Sequence, residues 1–126
     1  MMQRFLLVVV VSILSVFPQP AEAKHKQYEK WYQAQWCAEH GGKSEVLLPD
    51  QTRCDCETVT HVIEFDFGPK WSEAIGQALY YAVQLNKPAA VVLILESQKD
   101  YTYWVRLNTT VQHFQLPITT WKIENF

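Results

Sequence analysis

The segment Ala89–Leu95 is an unbroken run of seven apolar residues, closed by Pro88 on one side and Glu96 on the other. A strand with one wet face alternates, so a continuous apolar run of strand length predicts a central strand covered on both faces. Covering layers must therefore come from the rest of the chain. Over residues 28–39 the aromatic residues Tyr28, Trp31, Tyr32 and Trp36 recur every three or four positions. This predicts a helix that ends at Gly41-Gly42 and carries Gln35 and Glu39 on the same stripe. Residues 70–85 follow Gly68-Pro69 and place Trp71, Ile75, Ala78, Leu79, Ala82 and Leu85 at helical spacing, until Asn86 and Pro88 stop the run. Between the two helices, residues 44–48 and Arg53–Glu57 read as strands joined by a turn at Pro49-Asp50. After a short connection near Thr58, the β-branched and aromatic residues of 61–67 read as a third strand. Beyond Leu95, residues 101–107 alternate as a strand and 116–123 form a shorter β-like segment. The predicted order through Leu95 is α-β-β-β-α-β: an α/β chain with a mixed sheet flanked by helices and a β-rich C-terminal tail.

The chain has 126 residues, 48% hydrophobic and 19% charged, which fits one small globular domain and excludes a disordered, collagen-like or polytopic membrane protein. Its most apolar stretch, residues 5–17, is interrupted only by Ser12 and Ser15. That stretch follows Arg4, is short for a membrane span, and ends in Pro18, Pro20 and the small-x-small triplet Ala21-Glu22-Ala23. These features predict a cleaved secretory signal over 1–23, a single domain over 24–126, and a secreted or periplasmic location. Losing Arg4 and Glu22 together leaves the net charge at −2. A mildly acidic balance counts against nucleic acid as an obligatory partner while leaving room for a local basic groove.

Three cysteines, Cys37, Cys54 and Cys56, would then be exported to an oxidising compartment. Two residues apart on one strand, Cys54 and Cys56 face the same side but lie too far apart to bridge, so Cys37 pairs with one of them. Free thiols, an intermolecular bridge, and a metal site built from Cys37-x-x-His40 with Cys54-x-Cys56 are the alternatives.

The chemistry concentrates in acidic residues. Asp55 points away from Cys54 and Cys56, and Glu64 and Asp66 share a face of the third strand. A hairpin folded around Thr58 sets Asp55 across from Val62 and diagonally near Glu64, gathering three carboxylates. Two such charges about 5 Å apart at an effective dielectric near 20 repel by roughly 3 kcal/mol, so a cation, a proton or a basic residue must relieve them. An oxygen-rich cluster suits Mg²⁺ or Mn²⁺. Along the next helix, Lys70, Glu73 or Ala74, Gln77 and Tyr81 line one side.

With these residues the chain resembles, over roughly residues 28–96, the PD-(D/E)XK or restriction-endonuclease-like nuclease superfamily. Asp55 matches the motif's first aspartate, and Glu64, after eight intervening residues, matches its acidic second element. The run Gln77-Ala-Leu-Tyr-Tyr81 is similar to the Gln-x-x-x-Tyr helix motif of the RecB-like branch. Asp66 stands where the family lysine is expected, and Lys70 is the candidate replacement. The resemblance implies an αβββαβ core and a divalent-metal-dependent phosphodiester hydrolase acting on nucleic acid. It implies catalytic roles for Asp55, Glu64, Lys70, Gln77 and Tyr81, and an Mg²⁺ or Mn²⁺ site of Asp55, Glu64 and Asp66. The alternative is a noncatalytic binding or assembly module that keeps this fold and contacts an unknown protein through its aromatic surface.

Each residue also has a structural role open to it. Arg53 shares Asp55's face and can neutralise it, Lys70 can be a solvated first-turn residue, and Gln77 and Tyr81 can be hydrogen-bond partners in helix packing. His61 faces away from Glu64 and reads as structural, while His40 and His113 have no fixed partner. Trp71, Trp104 and Trp121 read as core residues, with a base-stacking platform as the alternative. Asn108-Thr109-Thr110 fits a glycosylation acceptor, meaningful only in a eukaryotic secretory route.

Overall fold

The computed structural model describes residues 25–126, so the signal segment read at 1–23 lies outside the described residues. Its elements are α1 (Glu29–Glu39), β1 (Lys43–Leu47), β2 (Arg53–Glu57), β3 (Val62–Phe67), α2 (Trp71–Leu85), β4 (Ala89–Leu95), α3 (Tyr101–His113) and β5 (Ile118–Glu124). Single 3₁₀ turns at Gly68–Lys70 and Gln98–Asp100 lead into α2 and α3. The strands form one mixed sheet in sequence order, β1 through β5. The first three run antiparallel and the last three parallel. No helix among the described residues is long and apolar enough to cross a membrane.

Every residue of β4 is buried, as its composition predicts. One face of β3 and β4, with Ile63, Phe65, Phe67, Ala90, Val92 and Ile94, packs under Tyr32 and Cys37 of α1. The other face, with Ala89, Val91, Leu93 and Leu95, packs under Ala74 and Ala78 of α2 and Leu107 and Val111 of α3. Trp121 joins the first layer while Trp71 and Trp104 join the second, so the three indoles cannot form one stacking platform.

Three expectations are corrected. Residues 101–107 begin a helix, and the C-terminal tail is α-β rather than β-rich. Tyr101, Tyr103, Val105 and Leu107 give the alternation, but Tyr103, Trp104, Leu107 and Val111 satisfy the helical period, and two parallel strands cannot be joined without a crossover. Along α1 the buried residues are Tyr32, Gln33 and Cys37, whereas Tyr28, Trp31, Gln35 and Glu39 are exposed. A disulfide between Cys37 and Cys56 sets this rotation by holding the Cys37 side of the helix against β2. Third, Cys54 does not share Cys56's environment. It is a buried free cysteine beside Leu48 and Val62, with Tyr81 and Leu85 of α2 packed against that group. The residue opposite Asp55 in the β1–β2 ladder is Glu45, whose φ of 54° twists the hairpin between the two cysteines.

The C-terminus of α1 shows how local sequence fixes this arrangement. Gly41 takes φ 67°, and the N–H groups of Gly41 and Gly42 return to the carbonyls of Ala38 and Cys37 at 3.2 and 2.8 Å. This is the paired bonding that closes a helix at a left-handed glycine. A Cβ on Gly42 would stand 2.6 Å from the Cys56 sulfur and 2.7 Å from that of Cys37, so this position has room only for glycine.

The sequon at Asn108 falls within α3. Its amide donates to the Trp104 carbonyl at 2.9 Å and accepts from the Thr120 hydroxyl at 2.6 Å, so the group that would carry a glycan is already committed to the fold.

Candidate active site

β2 and β3 are joined by a four-residue connection in which the Thr58 N–H donates to the His61 carbonyl at 3.0 Å. The Thr58 hydroxyl accepts the N–H groups of Thr60 and His61 at 3.3 and 3.1 Å. This connection is longer than a turn centred on Thr58, and it shifts the register to Glu57↔Val62 and Cys56↔Ile63. Asp55 therefore stands directly across from Glu64, not from Val62; the shift is by two residues, so the facing side is kept.

At Asp55 the backbone ladder stops and side chains take over. The Phe65 N–H donates to Asp55 Oδ2 at 2.8 Å, and the Asp55 N–H donates to Glu64 Oε1 at 3.3 Å. Two carboxyl groups thus occupy the acceptor positions that backbone carbonyls fill elsewhere in a sheet, and the strands fork around them. Glu64 and Asp66 are nearly inaccessible, at 4% and 6% exposure.

A fourth carboxyl group, absent from the sequence reading, joins from α1. Glu29 lies close enough to Asp66 and Asp55 to feel the charge of both. Burial, reinforced by Asp55, pushes the Glu29 carboxyl up to about 7, with Lys70 opposing. Asp66 is likewise raised to about 7 by burial and then by Glu29, again with Lys70 opposing. Asp55 and Glu64 are both raised, first by burial, and Glu64 further by the adjacent Asp55 charge. Four carboxyl groups from α1, β2 and β3 therefore cannot all ionise at neutral pH without a compensating cation.

Lys70, exposed at the end of the 3₁₀ turn before α2, acts on the Glu29 and Asp66 end of this cluster. Glu73 bears on Asp66, and the half-buried Tyr81 hydroxyl is kept protonated by burial and by the charges of Glu64 and Asp55. Gln77 is exposed, one helical turn from each of them on the same face. Lys70 thus bears on Asp66 and Tyr81 on Glu64 and Asp55, with Gln77 exposed between Glu73 and Tyr81 on α2. Arg53 does not neutralise Asp55; its guanidinium reaches the Glu45 carbonyl at 3.5 Å. His40 stacks on Trp36, and His61 lies beside Thr119 and Trp121, away from the acids.

No protein-family model, curated protein or solved structure matches this chain. Among the described residues, no group of three or more His, Cys, Asp or Glu side chains stands ready-made to hold a metal ion. The proposed Cys37–His40–Cys54–Cys56 metal set is therefore replaced by a disulfide and a buried thiol. Backbone N–H groups hold two of the acids instead, Phe65 donating to Asp55 and Asp55 to Glu64, while Glu29 and Asp66 bear on each other by charge.

Gln33 was also invisible as a site residue. It is buried, and its amide donates to the Asp55 carbonyl at 2.7 Å and to Glu45 Oε1 at 3.1 Å. The signal that finds both missed residues is the spacing Glu29-x-x-x-Gln33-x-x-x-Cys37, three positions on one helical face. Once Cys37 is tied to Cys56, next to Asp55 in β2, that face must bear on the fork.

Proposed function

We propose that this chain is an exported PD-(D/E)XK-like domain that hydrolyses phosphodiester bonds in nucleic acid with Mg²⁺ or Mn²⁺. The observation that carries the reading is the convergence of Asp55, Glu64, Asp66 and Glu29 at the fork between β2 and β3. The element order α-β-β-β-α-β and the mixed sheet support the restriction-endonuclease-like comparison. The disulfide fits an oxidising compartment.

The donors have the chemistry a hard divalent cation takes, every group being a carboxyl oxygen, although among the described residues no three of them stand together as a ready-made site. Asp55, Glu64 and Asp66 would hold the ion, whose charge would relieve the crowding that raises their pKa values, with Glu29 beside Asp66. When bound, such a cation supplies a water of lowered pKa and neutralises charge building on the phosphate. Lys70, exposed beside Asp66, stands where its ammonium can meet a phosphate oxygen. Tyr81 keeps its hydroxyl proton beside Glu64 and can donate it as a hydrogen bond, and Gln77 extends the same helical edge outward.

Purified protein lacking residues 1–23, incubated with plasmid, single-stranded DNA or RNA and millimolar Mg²⁺ or Mn²⁺, is expected to cleave one of them. Asp55→Ala and Glu64→Gln should reduce cleavage to background; undiminished cleavage in either variant overturns the assignment. The second reading, a noncatalytic binding or assembly module, is favoured by Asp66 in the lysine's place. It predicts no cleavage of any of the three substrates, and capture of a protein partner that survives Asp55→Ala.

A further inference from the structure

We infer that the free edge of β5 is a self-association surface, on which two copies of this chain pair antiparallel about a two-fold axis and join their sheets. The register places Ile123 on the axis and Lys122 of each copy across from Glu124 of the other.

The two edges of the sheet differ. At β1, Glu45 takes φ 54° inside the strand and twists the hairpin, which blunts that edge against further pairing. β5 carries no such device. All seven of its residues stay in parallel register with β4, from Ile118 beside Ala89 to Glu124 beside Leu95, and Pro117 lies just outside it. Successive residues of a strand in a parallel ladder turn their N–H and C=O groups alternately to one neighbour and to the other. The Asn125 N–H donates to the Leu95 carbonyl at 2.9 Å, so the odd-numbered residues of β5 serve β4. The even-numbered Thr120, Lys122 and Glu124 therefore aim both backbone groups outward, where no described residue meets them. One further strand would satisfy all three.

Charge selects a second copy as that strand. Lys122 Nζ lies 2.9 Å from Glu124 Oε1, with both side chains partly exposed on one face of β5. The ammonium also donates to the Tyr101 hydroxyl. One of its three donors and Glu124 Oε2 remain without a partner among the described residues. In the antiparallel register centred on Ile123, each lysine stands between two carboxylates and each carboxylate between two ammonium groups. Sliding one copy by two residues sets Lys122 against Lys122 or Glu124 against Glu124, so the charges specify the register. The same register lays Phe126, 53% exposed at the chain end, beside Thr120 of the other copy. On the face under α1 it brings together the two grooves lined by Trp31, Trp36, Ile123 and Asn125, where Trp31 is 42% exposed. A net charge of −2 opposes association little. A two-fold pairing uses each edge once and closes.

Sedimentation equilibrium of the chain lacking residues 1–23 reads the association, and a dimer is expected within the micromolar range. Lys122→Glu turns both cross-copy pairs into facing carboxylates, and Glu124→Lys turns both into facing ammonium groups. Each variant should therefore raise the dimer dissociation constant roughly tenfold or more. Mixing the two variants sets unlike charges opposite one another again and should restore the dimer. A change confined to the bridge within one copy cannot produce that recovery. In Ile123→Cys the introduced thiols meet on the axis as a non-hydrogen-bonded pair, close enough to bridge, and should link the copies covalently under mild oxidation. Cys54 is buried and does not compete. Where a charge variant fails to fold, that crosslink decides: a covalent dimer supports the pairing and its absence overturns it. A parent that stays monomeric overturns the inference and leaves β5 to another occupant. A dimer indifferent to both charge variants, or variants that do not recombine on mixing, overturns it as well.

Discussion

Asp66 is the residue through which the cost of gathering these acids can be measured. Its carboxyl is raised to about 7 by burial and by Glu29, from an ordinary 3.8. Folding therefore favours the protonated form. The stability this contributes is fully present below the ordinary value and is lost as pH rises through the folded one. Each pH unit in that window corresponds to about 1.4 kcal/mol, so a shift of roughly three units sets a ceiling of about 4 kcal/mol. Asp66 and Glu29 titrate over the same range and divide the proton uptake between them, which lowers the figure expected for Asp66 alone to about 1–3 kcal/mol. Asp66→Asn keeps the volume and cannot ionise. In chelator-treated buffer the variant should be more stable than the parent by that amount at about pH 8, with the difference shrinking by about pH 5. Urea unfolding followed by tryptophan fluorescence reports both values, and millimolar Mn²⁺ should raise the parent more than the variant. A variant that is no more stable at the higher pH, or a difference that does not change with pH, refutes the account of a buried, mutually repelling acid cluster.

Replacing both Cys37 and Cys56 with alanine should cost about 3 kcal/mol by denaturant unfolding and weaken Mn²⁺ binding, because α1 loses its tether to β2; unchanged values would count against that coupling. Cys54, buried and with its thiol pushed up to about 11, should resist iodoacetamide in the native protein and react only in denaturant, as read by non-reducing mass spectrometry; rapid native labelling would contradict this. Gly42→Ala should cost about 1–3 kcal/mol, since its Cβ would overlap both disulfide sulfurs, and a neutral result would show that the α1 terminus yields more easily than its contacts indicate. Expression through a eukaryotic secretory route should leave Asn108 unmodified, and a glycan mass on a fully folded product would refute its structural commitment.

The legible parts of this fold were those whose composition admits one solution. A continuous apolar run such as Ala89–Leu95 has nowhere to go but the middle of a sheet, and Pro69, Gly41 and Asn86 punctuate the helices where backbone conformation demands it. Residues 101–107 satisfied two periods at once, and only the need for a crossover between parallel β4 and β5 selects the helix. Asp55, Glu64 and Asp66 could be gathered from strand alternation alone. Their exact partnering depended on the length of the connection at Thr58, which the alternation does not specify. Glu29 was hidden because α1's aromatic residues define a more prominent stripe than its buried one. The rotation that brings Glu29 near Asp66 comes from a tertiary crosslink between residues distant in sequence.

The short pairing between β2 and β3 divides the molecule into two pieces with different attachments. The β1–β2 hairpin makes one piece and β3, β4, β5, α2 and α3 the other, with α1 riveted to the first by the disulfide and packed on the second through Tyr32 and Cys37. The acids straddle that seam, with Asp55 and Glu64 each accepting a backbone N–H from the opposite strand. Protonation of these acids, or a cation in its stead, is therefore mortar added to the apolar contact of α1 with β3 and β4. Amide exchange in the hairpin should report on how firmly it has set.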